Sequence, residues 1–259
     1  MSTTVSPDTS HQLAAVIFDV DGTLVDSERD GHRVAFNAAF AAAGLPYRWD
    51  VEEYGQLLHI TGGRRRLTAF LERQGHPPQE AAALAAQLHA DKTARFRDMI
   101  NQGRIPPRPG VPELITELTD AGITLAVATT GTRDWVEPLL DRLFGLDTFA
   151  TVVTGTEIPT LKPDPAAYLE TLARLNLPPY HALAIEDSAN GLQAARAAGI
   201  PCLVVTNHYT QDQDFTGALA VLNSFRNPTH TTDPHLTQGL TPHTLTTLLK
   251  NSPHTRTNP

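Results

Sequence analysis

A single cysteine, Cys202, stands in 259 residues, so no disulfide can form within the chain, and this scarcity fits a reducing compartment. No apolar stretch approaches the roughly 18–20 residues that a membrane span needs. Residues 1–12 are polar and lack the basic-then-apolar order of a secretion signal. Positive charge is also in short supply: 20 Lys+Arg face 28 Asp+Glu, a formal net charge of −8. That balance weighs against nucleic acid or an anionic membrane as a partner. The expectation is a cytoplasmic monomer acting on a small molecule. What is present is a globular composition, 41% hydrophobic and 19% charged, sufficient for one large domain or two modest ones.

Five short apolar runs read as buried parallel strands, continuous rather than alternating: 14–19, 123–129, 151–154, 182–186 and 202–205. Helical patterns lie between them and tend to end in glycine, as at 112–121 before Gly122 and 189–198 before Gly199. This alternation predicts an α/β fold with an open, mostly parallel sheet of Rossmann-like form. From about 27 to 101 the rhythm breaks into helices alone (33–43, 64–74 and 79–100), too long for an ordinary crossover. The division predicted is a core of 13–27 plus 105–225, an inserted helical cap of 28–104, a flexible N-terminus of 1–12 and a tail of 226–259. The prolines of 105–110 make a stiff return linker. The tail, with ten Thr, four His and five Pro, is expected to be loosely ordered. Thr241-Pro242 with Leu245, Leu248 and Leu249 predicts one short helix in it.

The polar residues at the strand ends form a coherent set. Asp19 closes the first run and Asp21 follows in Asp19-Val20-Asp21-Gly22-Thr23; Glu186-Asp187 closes another; Thr129-Thr130-Gly131-Thr132 follows a third, and Lys162-Pro163 a fourth. In open α/β sheets ligands collect at the carboxyl ends of strands. Asp-Gly is also a common turn, and acids favour helix N-termini, so each pair alone has a plain reading. Together they suit phosphoryl chemistry. Mg²⁺ takes a few carboxylates plus phosphate oxygens, one carboxylate can attack phosphorus, a second can move the proton, and Lys and Thr can hold the phosphoryl oxygens.

These four motifs, in this order, resemble those of the haloacid dehalogenase-like hydrolases over 13–225. The chain is similar in particular to the CbbY-like sugar-phosphate phosphatases, through 52–58 (Glu-Glu-Tyr-Gly-Gln-Leu-Leu), 61–63 (Thr-Gly-Gly), 92–96 (Lys-Thr-Ala-Arg-Phe), 128–130 and 186–192. The resemblance implies Asp19 as nucleophile and Asp21 as acid/base. It implies Mg²⁺ on the Asp19 carboxylate, the Asp21 backbone carbonyl and Asp187, with Glu186 close or bridging through water. It gives the phosphoryl group to Thr129, Thr130 and Lys162, with Gly131 and Thr132 beside them. Gly31 is one residue more than the pattern carries before His32, and His32, Trp49, Trp135 and Cys202 read as structural.

In the cap, Thr61 reads as an N-cap, followed by Gly62, Gly63 and the cations Arg64, Arg65 and Arg66, a combination that suits a second phosphate and is also what a solvated basic face looks like. The resemblance aligns this loop with the family's substrate loop and adds Glu28 for sugar hydroxyls, and His89 with Lys92. The expected activity is Mg²⁺-dependent hydrolysis of a small sugar phosphate, and the basic loop points to a bisphosphate; xylulose-1,5-bisphosphate is what the resemblance implies. The alternatives are a phosphosugar mutase of the β-phosphoglucomutase kind, distinguished by isomerised sugar instead of free phosphate, and a non-catalytic sugar-phosphate sensor, which would have no need of a nucleophile.

Overall fold

The computed structural model describes residues 12–252; the expected flexibility of the N-terminus falls, but for Gln12, outside them. Six strands form one parallel sheet in the order β3-β2-β1-β4-β5-β6. They are β1 (Ala15–Phe18), β2 (Thr124–Ala128), β3 (Thr151–Val153), β4 (Ala182–Glu186), β5 (Cys202–Val205) and β6 (Val221–Leu222). Five coincide with the apolar runs. The sixth, two residues long, is too brief to carry a sequence pattern. Strand order runs outward in opposite directions from β1 and β4, which pair in register from Ala15↔Ala182 to Phe18↔Ile185. This reversal makes the crevice above β1 and β4 the place where a doubly wound sheet binds ligands.

Between β1 and β2 the chain forms a helical insertion with no strand in it. A π turn, Glu28–His32, leads into α1 (Arg33–Ala42), followed by α2 (Val51–Leu57), α3 (Gly63–Arg73) and α4 (Pro78–Asn101). The π turn explains Gly31: one added residue widens the first turn, and any Cβ on Gly31 would fall 2.7 Å from the Phe96 ring. The insertion has its own apolar centre, where Phe36, Phe40, Trp49, Tyr54 and Phe70 pack among α1, α2 and α3. Thr61 is not the N-cap of α3. Gly62, at φ 92°, takes that place, and the Thr61 hydroxyl instead accepts from Asn190 of the core at 3.1 Å.

The rest of the core is α5 (Val111–Asp120), α6 (Arg133–Phe144), α7 (Ala166–Leu175) and α8 (Ala189–Ala197), covering both faces of the sheet. The described part of the tail, 226–252, is packed where loose order was expected, and the short helix predicted from Thr241-Pro242 is present. Helix α9 (Pro242–Asn251) begins at Thr241 with a capping box to Thr244, and Leu236, Leu240, Leu245 and Leu249 are fully buried in the same core as Val111 and Leu114. The helix was legible from Leu245, Leu248 and Leu249; what the Thr- and Pro-rich composition obscured is that these three, with Leu236 and Leu240, join the main core. Among the described residues no helix is long and apolar enough to cross a membrane.

Candidate active site

The nucleus of the site is a buried charge cluster at the ends of β1 and β4. Asp19 Oδ1 accepts from Lys162 Nζ at 2.7 Å; the same ammonium donates to Glu186 Oε1 at 2.5 Å and to the Ala128 carbonyl at 2.8 Å. Burial alone would lower the Lys162 pKa, but the charges of Asp19 and Glu186 outweigh it and hold it above the usual lysine range. Burial pushes the Asp19 carboxyl well up, against the pull of Lys162. Asp187 is raised likewise, by burial and then by the charges of Asp19 and Glu186. Oxygens of Asp19, Glu186 and Asp187 lie within 4.8 Å of one another. One ammonium among three carboxylates leaves negative charge over, in a donor set of hard oxygens, which fits a divalent cation of the Mg²⁺ type. Two glycines make this crowding possible. A Cβ on Gly22, at φ 87°, would fall 2.2 Å from Asp187 Oδ2, and one on Gly191 would fall 2.0 Å from Glu186.

Asp21 faces the insertion. Its Oδ1 accepts from Ser27 Oγ and from His32 Nε2, the latter at 2.8 Å, while His32 Nδ1 accepts from Lys92 Nζ at 2.7 Å. Burial would raise Asp21, yet His32 and Ser27 outweigh it and hold the carboxyl below its usual range. His32, read from the sequence as packing, thus links the second aspartate to α4. Its ring does pack, 3.9 Å from Phe96 and 5.1 Å from Trp135 between centroids, but a lone His on an apolar face gave no sign of its two hydrogen bonds. Burial lowers Lys92 to about 8, against the opposite pull of Glu28 and Asp21.

A cavity of about 700 Å³ lies between the sheet end and the insertion. Its core wall includes Asp19, Asp21, Lys162, Asp187 and the Thr130-Gly131-Thr132 turn; its cap wall includes Glu28, Gly62, Gly63, Arg64, Arg65, Arg66, His89 and Lys92. Two expected site residues stand behind the wall. The Thr129 hydroxyl, in a residue 1% exposed, accepts from the Gly131 amide at 3.0 Å and so shapes the turn. Glu186 is held by Lys162 and by the Tyr168 hydroxyl at 2.6 Å. The three arginines also divide. Arg64 and Arg65 are exposed, whereas Arg66 is buried and donates to the Leu57 carbonyl at 3.2 Å and to Tyr54 Oη at 3.0 Å. Tyr54 in turn donates to Glu28 Oε2, so Arg66 buttresses Glu28 from behind. Burial lowers His89 to about 4, with Lys92, His32, Arg64 and Arg66 adding to the effect. The sequence reading missed Asn207, which donates to Asp187 Oδ2 at 2.7 Å, and Tyr209, which packs on Gly55 and lines the cavity. Their polar run directly after β5 was the available signal.

A carboxylate aimed from a parallel strand into a cavity roofed by helices, beside a buried lysine and a second aspartate two residues on, defines a hydrolase of the capped α/β class. The sequence comparisons agree. The chain belongs to the haloacid dehalogenase-like hydrolase family, whose profile matches residues 13–199. It is 44% identical over 216 residues to the protein CbbY of Cereibacter sphaeroides, covering 82% of this chain and 93% of that one. It is 35% identical to a phosphoglycolate phosphatase of Agrobacterium fabrum, covering 78% and 84%. The crystal structure of CbbY from Rhodobacter sphaeroides in complex with xylulose-1,5-bisphosphate superposes with a TM-score of 0.76 at 42% identity, covering 82% of this chain and 95% of that one.

Proposed function

We propose that this phosphatase hydrolyses a small sugar bisphosphate of the xylulose-1,5-bisphosphate type, with Mg²⁺ as its cation and an aspartyl-phosphate as its intermediate. The observation that carries the reading is the two-walled cavity. The core wall presents Asp19, Lys162 and the Thr130-Gly131-Thr132 turn; the cap wall adds the cations Arg64, Arg65 and Lys92, with His89. A ligand with a phosphate at each end matches that distribution, and the CbbY relative was crystallised with such a ligand.

The Asp19 oxygen that Lys162 does not hold attacks phosphorus in line, and the bond from phosphorus to the sugar oxygen breaks. Asp21 gives that oxygen a proton, then takes one from the water that attacks the phospho-aspartate, releasing phosphate and restoring Asp19. Lys162 and the Thr130 amide hold the phosphoryl oxygens as charge shifts. Asp19, the Asp21 carbonyl and Asp187 would hold the Mg²⁺, which neutralises charge on the phosphoryl group when bound. Glu186 holds Lys162, and Glu28, fixed by Tyr54, meets sugar hydroxyls. The helical roof excludes bulk water.

The test is phosphate release with Mg²⁺ across a panel of sugar mono- and bisphosphates, with Asp19→Asn alongside. Preference for a pentulose bisphosphate, abolished by the substitution, is expected. Equal rates on monophosphates would remove the bisphosphate reading, and isomerised sugar without phosphate release would assign a mutase instead.

A further inference from the structure

One buried cation has no part in the chemistry above. Arg108 lies on the return linker from the insertion and is 8% exposed. It makes no salt bridge among the described residues. Its guanidinium donates instead to three backbone carbonyls: Gly22, Val205 at 2.9 Å and Thr206 at 2.7 Å. Phe225 supplies a platform, its ring centroid 5.2 Å from the guanidinium carbon. The linker is anchored at the same point, since the Arg108 amide donates to the Leu24 carbonyl at 2.9 Å and Pro107 bridges to Val25.

The position of those carbonyls gives the residue its meaning. Gly22 follows β1 and Val205 ends β5, the two strands that flank β4. The guanidinium therefore spans the end of β4, where Asp187 emerges. Asp187 sits in the slot between the same two loops. Gly22 approaches it too closely for any Cβ, and Asn207, two residues beyond Val205, donates to its Oδ2 at 2.7 Å while also reaching the Gly22 carbonyl at 3.4 Å. Arg108 joins the two walls of that slot through its hydrogen bonds to Gly22, Val205 and Thr206. A planar fork with five N–H groups can join three carbonyls at once, which a lysine ammonium on a flexible stem does less well.

We infer that Arg108 is a positioning residue for Asp187, holding the β1 and β5 loops at the separation that keeps this carboxylate directed at a bound divalent cation. The inference rests on reading the Asp19/Asp187 cluster as a cation seat. It reaches the ion only through the two loops, and such outer partners are commonly worth 10–100-fold in metal affinity.

The experiment is titration of the full chain, without substrate, with Mn²⁺ followed by the electron paramagnetic resonance of the free ion. Wild type, Asp187→Asn, Arg108→Met, Arg108→Lys and Phe225→Leu are compared, each with its melting temperature. The expected result is loss of binding in Asp187→Asn, a roughly 10-fold or greater rise in Kd in Arg108→Met, partial recovery in Arg108→Lys, and a smaller rise in Phe225→Leu. Wild-type affinity in a folded Arg108→Met would overturn the inference and leave the cation seat standing. Binding unaffected by Asp187→Asn, or absent in wild type, would remove the seat and the inference with it. If the Arg108 variants fail to fold, Phe225→Leu decides, since an unchanged Kd there contradicts a slot set by the guanidinium.

Discussion

His32 donates through Nε2 to Asp21 Oδ1 at 2.8 Å and accepts through Nδ1 from Lys92 at 2.7 Å, so the second aspartate of the core is joined in two hydrogen bonds to the middle of the longest cap helix. An ammonium can only donate, which makes Nδ1 the acceptor and leaves the ring proton on Nε2, facing the carboxylate. His32 and Ser27 together hold the Asp21 carboxyl below its usual range, so it must gain the proton that it gives to the leaving oxygen. A lysine lowered to about 8 behind it can resupply one through the ring.

His32→Phe keeps the ring volume against Phe96 and Trp135 and removes both hydrogen bonds. Turnover is expected to fall by about 10²-fold, the low end of what general acid–base groups contribute. Because His32 is the largest of the influences holding Asp21 down, its loss raises the Asp21 carboxyl, and the basic limb of the kcat/KM profile, where Asp21 loses the proton it gives to the leaving oxygen, is expected to move to higher pH. A pH–rate series on the variant checks this, and an unmoved basic limb would detach His32 from Asp21.

The exposed and buried arginines of the cap loop make opposite forecasts. Replacing Arg64 and Arg65 together by Ala is expected to lower kcat/KM for a bisphosphate by roughly 10–10²-fold, the worth of charged hydrogen bonds, and to spare monophosphates. Arg66→Ala removes the support of Tyr54 and hence of Glu28, so both substrate classes are expected to suffer alike and the melting temperature to drop. Steady-state kinetics on matched mono- and bisphosphates separates the two cases. Equal losses in the Arg64/Arg65 variant would refute a distal phosphate site.

His89 makes the stability of the protein sensitive to mild acid. Its folded pKa is about 4 against an ordinary 6.5, so between these values the unfolded chain binds a proton that the folded chain refuses. Stability is therefore expected to fall as pH drops from 6.5 toward 4, with no contribution from His89 above 6.5 and a constant one well below 4. The loss is on the order of 1–2 kcal/mol for a group with some solvent access. Urea unfolding of wild type and His89→Gln at several pH values tests it; parallel curves would show that His89 does not titrate in this way.

The described part of the tail, through Ser252, packs into the core. Leu249→Ala removes a fully buried side chain at the last turn of α9 and is expected to destabilise the protein by about 2–5 kcal/mol, the range for buried leucine truncation. Equilibrium denaturation measures this directly. A change within about 0.5 kcal/mol, as at a surface position, would mean that the segment is held loosely.

Much of the site was legible because its chemistry lies in contiguous motifs at strand ends. Asp19, Asp21, Lys162 and Asp187 each follow an apolar run or a proline turn, and parallel strands necessarily deliver such residues to one edge. Of the cavity-lining cap residues, Arg64 and Arg65 came from the run of glycines and cations, whereas Glu28, His89 and Lys92 came from likeness. What escaped was relational. Arg64 and Arg66 look alike in a row of three, yet a helix turns about 100° per residue, so one meets solvent and the other the Tyr54 hydroxyl. Thr129 and Glu186 sit in the motifs as expected but spend their hydrogen-bonding groups on Gly131, Lys162 and Tyr168, behind the surface that a ligand touches.

By itself the sequence determined the parallel strands, the inserted helices and the acids at the sheet's edge, because buried strands demand continuous apolar runs and helices announce their ends with glycine. Only the tertiary structure decided which polar groups meet. His32 and Lys92 are 60 residues apart, and Arg108 is 86 from Gly22 and 97 from Val205. No local pattern records such pairings, since they arise when the insertion folds back over the sheet and buried donors must find whatever acceptors the packing brings within reach.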